Sequence, residues 1–136
     1  MGAVIRMANR YLLDTHVLLW WLFDDVRLSQ SARETIEDPE RIIMVSSASA
    51  WELSTKYRLG KLPHAAEVVK NLPQWISRAH MAVLEISLEH ALAAGSLPGP
   101  HRDPFDRMLI AQAQMEDVPI ITTDPAFRHY PVNICW

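Results

Sequence analysis

Four carboxylates lie within or beside apolar stretches of the chain, and they are the side chains best suited to chemistry. Asp14 ends the run YLLD, Glu52 lies inside WEL, Asp106 precedes RMLI, and Asp124 closes ITTD. Carboxylates next to buried residues are costly unless they are paired or bound to metal. Several in one pocket would also raise one another's pKa. A divalent cation removes both penalties, and oxygen ligands suit Mg²⁺ or Mn²⁺, so the pattern favours a metal site.

Most of the acids also have a structural interpretation. Asp14 or its neighbour Thr15 could cap a helix. Asp103 precedes Pro104 and is better suited to a helix N-cap than to a metal ligand. Asp124 precedes Pro125, which is typical of a turn. Farther along the helix that carries Glu52, Lys56 stands four residues later and predicts an intrahelical ion pair.

Short apolar segments alternate with helical segments and would position these acids. We predict strands over 11–13, 42–46, 81–86, 118–122 and 132–134, and helices over 17–23, 29–38, 47–59, 65–72, 74–79, 87–94 and 104–116. Pro73 is expected to separate two of the helices, and Gly60 to end another. The alternation predicts an α/β fold with a mostly parallel sheet. In such sheets ligands bind beyond the carboxyl ends of the strands, where three of the acids would lie.

Composition narrows the class of protein. The 136 residues carry 13 Lys and Arg against 16 Asp and Glu, a formal charge of −3, which excludes a generally basic nucleic-acid coat. The lone Cys135 excludes a disulfide framework and a multi-cysteine zinc site. No stretch is apolar and long enough for a signal peptide or a membrane span. We therefore expect a soluble, cytoplasmic protein with one domain over 10–136, and an extension over 1–9 in which Met7 is an alternative start.

Four segments in this order resemble PIN-domain proteins. They are LLDTH from Leu12, SSASAWELSTKYRLGKL from Ser46, HRDPFDRMLIAQA from His101 and IITTDPAF from Ile120. The resemblance is nearest to the toxin ribonucleases of bacterial VapBC-type toxin–antitoxin modules. It implies a three-layer α/β/α sandwich with an acidic pocket formed by Asp14, Glu52, Asp106 and Asp124.

The resemblance also implies an activity and partners. Asp14 and Asp106 would be the principal ligands of Mg²⁺ or Mn²⁺, with Glu52 and Asp124 completing the set and Asp103 less certain. One or two such ions can activate water and stabilise the leaving oxygen in RNA phosphodiester hydrolysis. A homodimer and a VapB-type antitoxin that blocks the pocket are implied as partners.

Two functions other than a metal-dependent endoribonuclease are compatible with these residues. A non-catalytic binding module would use the acids as caps or as a partner-facing surface. A different metal-dependent phosphoesterase is less favoured, because His16 stands where haloacid-dehalogenase-like phosphatases need a second Asp. From the sequence we expect Asp106→Asn to abolish activity while leaving stability unchanged or higher. We also expect self-association, because the apolar residues of 18–23 cannot all face one core.

Overall fold

Parallel strands form a single sheet in the computed structural model, which describes residues 9–100 and 102–136. Within these residues the strands are β1 (Arg10–Leu13), β2 (Ile42–Ser46), β3 (Ala82–Leu84), β4 (Ile120–Ile121) and β5 (Ile134–Cys135). Their order is β3-β2-β1-β4-β5, and each neighbouring pair is parallel. The predicted α/β fold with a mostly parallel sheet is confirmed.

Helices connect the strands on both faces of the sheet. They are α1 (Thr15–Leu22), α2 (Gln30–Glu37), α3 (Ser47–Arg58), α4 (Ala66–Lys70), α5 (Leu72–Arg78), α6 (Leu88–Ser96) and α7 (Pro104–Glu116), with short 3₁₀ helices at Pro63–Ala65 and Pro125–His129. Ser29 caps α2 by accepting from the Ala32 N–H. Gly60 follows α3 with a φ of +77°, a left-handed conformation that glycine adopts without strain.

The strands divide their side chains between two apolar layers. Leu13, Ile43 and Ile121 pack with residues of α1 to α5 on one face. Leu12, Met44 and Ile120 pack with residues of α7 on the other. This alternation follows from the two-residue period of a strand, and because both faces are covered the strands can be apolar throughout. The outcome is the three-layer α/β/α sandwich that the family resemblance implied.

Some predicted boundaries are wrong. The third and fourth strands are shorter than the apolar runs that predicted them, because only part of each run pairs with a neighbour. The break between α4 and α5 falls at Asn71, and Pro73 lies in the first turn of α5. A helix tolerates proline there, since the first N–H groups have no acceptor within the helix.

The predicted extension over 1–9 lies outside the described residues except for Asn9, and so do both candidate start residues. Within the described part of the chain, no helix is long and apolar enough to cross a membrane.

Candidate active site

Asp14 lies at the centre of the sheet edge formed by the carboxyl ends of the strands. It follows β1, and its N–H donates to the Ile121 carbonyl at 3.1 Å. Although Asp14 occupies the N-cap position of α1, its carboxylate makes no capping hydrogen bond. Instead Oδ2 accepts from the Thr122 hydroxyl at 2.8 Å. Burial raises the pKa of Asp14, while the Thr122 hydrogen bond and nearby His16 oppose that rise and the charge of Glu52 adds to it.

Glu52 is buried by the helix that follows β2. The Ser46 hydroxyl accepts from the Ala48 N–H and so fixes where α3 begins. One and a half turns later the Glu52 side chain is only 1% exposed. Its Oε2 accepts a short hydrogen bond from Lys56 Nζ, which confirms the predicted intrahelical pair. Its Oε1 is buried without a hydrogen-bond partner. A carboxylate oxygen left in this state is costly and is suited to binding a cation.

Asp103 and Asp106 are placed by the start of α7. Asp103 is the N-cap, and its Oδ1 accepts from the N–H groups of Phe105 and Asp106 at 2.8 and 3.3 Å. Pro104 occupies the first turn, where its missing N–H costs nothing. The capping interpretation of Asp103 is thus confirmed. Asp106 stands in the first turn of the helix, where a negative charge is favourable.

Lys56 links the acids of α3 and α7 electrostatically. Burial alone would lower the pKa of Lys56, but the hydrogen bond to Glu52 and the charges of Glu52, Asp103 and Asp106 together raise it. Glu52 in turn acts on Asp14, so charge interactions link the four carboxylates in series, with Lys56 acting on Glu52, Asp103 and Asp106. We call these four carboxylates and Lys56 the acidic cluster.

Asp124 reaches the edge of the acidic cluster through Thr122. The Asp124 N–H donates to the same Thr122 hydroxyl that binds Asp14, at 3.0 Å. Its own carboxylate accepts from the Ala126 N–H at 2.9 Å and begins the 3₁₀ helix after β4. The turn interpretation of Asp124 is therefore confirmed, and its position beside Thr122 leaves it next to the cluster.

Three contacts that the sequence did not predict hold the elements of the site together. The Thr15 and Ser49 hydroxyls lie 2.8 Å apart and join the start of α1 to α3. Thr15 is thus the first helical residue, and the prediction that its side chain caps α1 is wrong. Trp51 meets Phe105 edge to face, with ring centroids 4.8 Å apart, and joins α3 to α7.

The third contact lies beneath the site and joins β2 to α7. There the Ser46 hydroxyl donates to Gln112 Oε1 at 2.5 Å. For Ser49 and Gln112, the only indication in the sequence of such a contact is that a polar residue stands inside a largely apolar segment. Such residues do not reveal their partners when the partners lie far away along the chain.

The donor set suits a divalent cation, although the side chains do not form a ready-made cage. Among the described residues, no group of three or more His, Cys, Asp or Glu side chains is arranged to hold a metal ion. One oxygen of Glu52 is instead paired with Lys56. The partnerless Glu52 Oε1 and the buried Asp14 both require positive charge nearby. Oxygen donors of this kind fit Mg²⁺ or Mn²⁺.

The basic side chains near the acidic cluster differ in their exposure and contacts. Arg102 is exposed next to the start of α7. Arg107 donates to the Leu97 carbonyl and so holds the loop before α7. His16 is exposed beside Asp14, and His101 lies outside the described residues.

Comparisons with known proteins agree with this architecture. The family model described as PIN domain matches residues 11–133. Ribonuclease VapC22 of Mycobacterium tuberculosis is 30% identical over 120 residues, which cover 88% of this chain and 90% of that protein. Ribonuclease VapC16 of the same organism is 34% identical over 58 residues, covering 43% of this chain and 41% of that protein.

Two solved complexes show a similar fold. A chain of VapBC2 from Rickettsia felis, bound to a DNA fragment from its promoter, has a TM-score of 0.67 and 18% identity, over 93% of this chain and 97% of that chain. A chain of FitAB, bound to the IR36 DNA fragment, has a TM-score of 0.64 and 17% identity, over 92% and 93%. At these identities the likeness concerns the fold.

Proposed function

The chain belongs to the PIN-domain family, and from that membership we propose that it is a metal-dependent endoribonuclease, the toxin of a toxin–antitoxin pair. The observation that carries the proposal is the pair of buried carboxylates at the carboxyl edge of the sheet. Asp14 has a raised pKa, and Glu52 has a buried oxygen with no partner. A functional requirement for negative charge at this edge accounts for both.

The residues of the acidic cluster and its neighbours would have different roles in metal binding. Asp14 and Asp106 are the principal ligands of Mg²⁺ or Mn²⁺, and Glu52 and Asp124 complete the set directly or through water. When bound, the ion supplies an activated water and neutralises charge on the phosphoryl group and leaving oxygen. Thr122 orients the Asp14 carboxylate toward this role. Asp103 supports Asp106 by capping the helix that carries it.

Cleavage of RNA by the purified chain tests the proposal. We expect synthetic RNA to be cut in Mg²⁺ or Mn²⁺, and cleavage to stop when a chelator is added. Asp14→Asn should reduce the rate by about a hundredfold or more, because it removes a ligand charge at the reacting centre. Asp117→Asn is a matched control, since Asp117 is exposed with a φ of 53° and asparagine tolerates that conformation.

Two results would contradict this function. Cleavage that persists in chelator would exclude the metal-dependent route. An Asp14→Asn variant as active as the Asp117→Asn control would remove the acidic cluster from the reaction. Binding of RNA without cleavage under any divalent ion would instead support a non-catalytic binding module.

The relatives suggest the partner. The solved neighbours are VapBC and FitAB complexes, so we propose that a VapB-type antitoxin binds this chain. An arginine of that partner could pair with the acidic cluster and compete with metal. Coexpression with a VapB-type antitoxin should give a complex in which RNA cleavage is suppressed, and a complex that cleaves at the full rate would contradict pocket blocking.

A further inference from the structure

Lys56, the lysine of the acidic cluster, is partly exposed but pairs with a fully buried carboxylate. Lys56 Nζ is bonded to Glu52 Oε2, and the Lys56 side chain is 27% exposed while that of Glu52 is 1% exposed. The charges of Asp103 and Asp106 also act on this ammonium group. Lys56 is therefore the charged partner of Glu52 when no metal is bound, and its charge also favours the ionised forms of Asp103 and Asp106.

Glu52 and Lys56 differ in burial, and this difference would allow another cation to replace the lysine. Glu52 is fixed by burial, and its second oxygen has no partner. Lys56 has a flexible four-carbon stem and a partly exposed side chain, so its ammonium group can be hydrated again once another cation takes its place at Glu52. Glu52 cannot follow it, because an unpaired buried carboxylate is strongly unfavourable. Another cation must then replace the ammonium.

We propose that Lys56 is a positioning residue that acts as a built-in counter-ion, holding Glu52 in the metal-free protein and yielding it to the divalent cation. The inference rests on the proposed function, because it concerns the same metal site. Lys56 competes with the metal for Glu52 and so sets the affinity of the site. At low metal concentration the protein stays folded with Glu52 paired to Lys56, and Glu52 reaches the metal only when the lysine is displaced.

Calorimetric titration with Mn²⁺ alone, in the absence of RNA, measures this competition. The variant is Lys56→Gln, which removes the charge but keeps an N–H donor for Glu52. We expect it to bind Mn²⁺ about tenfold more tightly than the wild type, since a nearby positive charge opposes a divalent cation. Lys56→Arg keeps the charge and should bind within about twofold of the wild type by the same reasoning. Lys61→Gln is the matched control, because Lys61 is exposed beyond the end of α3.

Thermal melts supply a second readout that does not depend on activity. Without Mn²⁺, Lys56→Gln should melt below the wild type, because Glu52 loses its charged partner. Saturating Mn²⁺ should narrow that gap, since a tighter ligand stabilises the folded state more at equal concentration. A lysine with a purely structural role would leave the gap the same with and without Mn²⁺.

The outcomes separate the two proposals. If the wild type binds Mn²⁺ through Asp14 but Lys56→Gln binds no more tightly, the counter-ion role is overturned and the proposed function stands. If the wild type binds no Mn²⁺ and cleaves no RNA, the proposed function fails and the competition with it. The counter-ion role is supported if Lys56→Gln binds Mn²⁺ more tightly than the wild type while Lys56→Arg and Lys61→Gln bind it with nearly the wild-type affinity.

Discussion

At the scale of single residues, the acids of the cluster differ in how much their ionised form destabilises the metal-free fold. Asp14 is held within the sheet edge and is 3% exposed. Asp106 lies in the first turn of α7, where the helix and Lys56 both favour a negative charge. The sequence suggested one common repulsion among the carboxylates. The structure instead buries the carboxylates of Asp14 and Glu52 and leaves Asp106 in a favourable position.

Asp14→Asn should therefore stabilise the metal-free protein. Burial raises the pKa of Asp14, so the folded state holds the carboxyl proton more tightly than the unfolded chain does. The resulting stabilisation is present below the unfolded pKa and is lost as the pH rises through the folded pKa. Asparagine stays neutral and can still accept from Thr122. We expect its melting temperature in chelator to exceed that of the wild type by a few degrees at neutral pH.

The pH dependence provides the control for this prediction. Below the unfolded pKa, Asp14 is protonated in both states and the gain from asparagine should disappear. Melts recorded in chelator from acidic to neutral pH would show the difference growing with pH. A variant less stable than the wild type at every pH would mean that the Asp14 charge does not strain the fold.

Asp106→Asn should behave differently. Loss of the charge removes a favourable interaction with the start of α7, worth about 0.3–1 kcal/mol, and weakens the attraction to Lys56. We now expect a small loss of stability rather than the unchanged or higher stability inferred from the sequence. RNA cleavage should still be abolished, since Asp106 is a proposed principal ligand. Denaturant unfolding and a cleavage assay measure the two effects, and a loss well above 2 kcal/mol would show a mainly structural role.

At the scale of elements, the site depends on where α3 and α7 begin. Both positions could be predicted, because Ser46 and Asp103 are good N-caps and Pro104 suits a first turn. The contact that sets the two helices against each other, Trp51 on Phe105, could not be predicted. It joins residues 54 positions apart in the sequence, and either aromatic side chain alone is equally consistent with a core or an interface.

Substitutions at Asp103 separate its capping role from any role in metal binding. Asp103→Ala should lower the free energy of unfolding by about 1 kcal/mol, because two N–H groups of α7 lose their acceptor. Asp103→Ser should restore most of that stability, since serine is also a good N-cap. If Asp103 only caps, the serine variant will also bind Mn²⁺ and cleave RNA like the wild type. Loss of Mn²⁺ binding in a stable Asp103→Ser variant would identify Asp103 as a ligand.

At the scale of the whole molecule, the features of the fold that could be predicted are those that follow from short, local sequence patterns. Apolar strands alternating with helices indicated the parallel sheet, and Asp14 directly after β1 indicated which edge holds the chemistry. The pairing of β1 with β4 and the Thr122–Asp14 hydrogen bond join residues more than a hundred positions apart. Physical reasoning from local sequence does not reach such contacts. The role of Lys56 likewise needs the burial of Glu52 to be known.

The surface for self-association also changes when the whole molecule is considered. The sequence predicted it from the apolar residues of 18–23, and Phe23 is indeed 42% exposed. Trp20 is partly covered, because it packs edge to face on Trp136 with ring centroids 5.8 Å apart and Arg27 lies over its ring. On α6, Leu88 and Leu92 are 74% and 68% exposed. They are four residues apart and share one helix face, and exposed apolar pairs of this kind are typical of interfaces.

Light scattering should therefore show a homodimer that depends on α6. We expect the wild type to dimerise at tens of micromolar, and Leu88→Lys with Leu92→Lys to give a folded monomer, because two buried charges would oppose the interface. Val26→Lys is the control, since Val26 is 97% exposed and lies away from α6 in the sequence. It should leave the dimer intact. A monomeric wild type, or a dimer that survives both α6 substitutions, would remove this helix face from self-association.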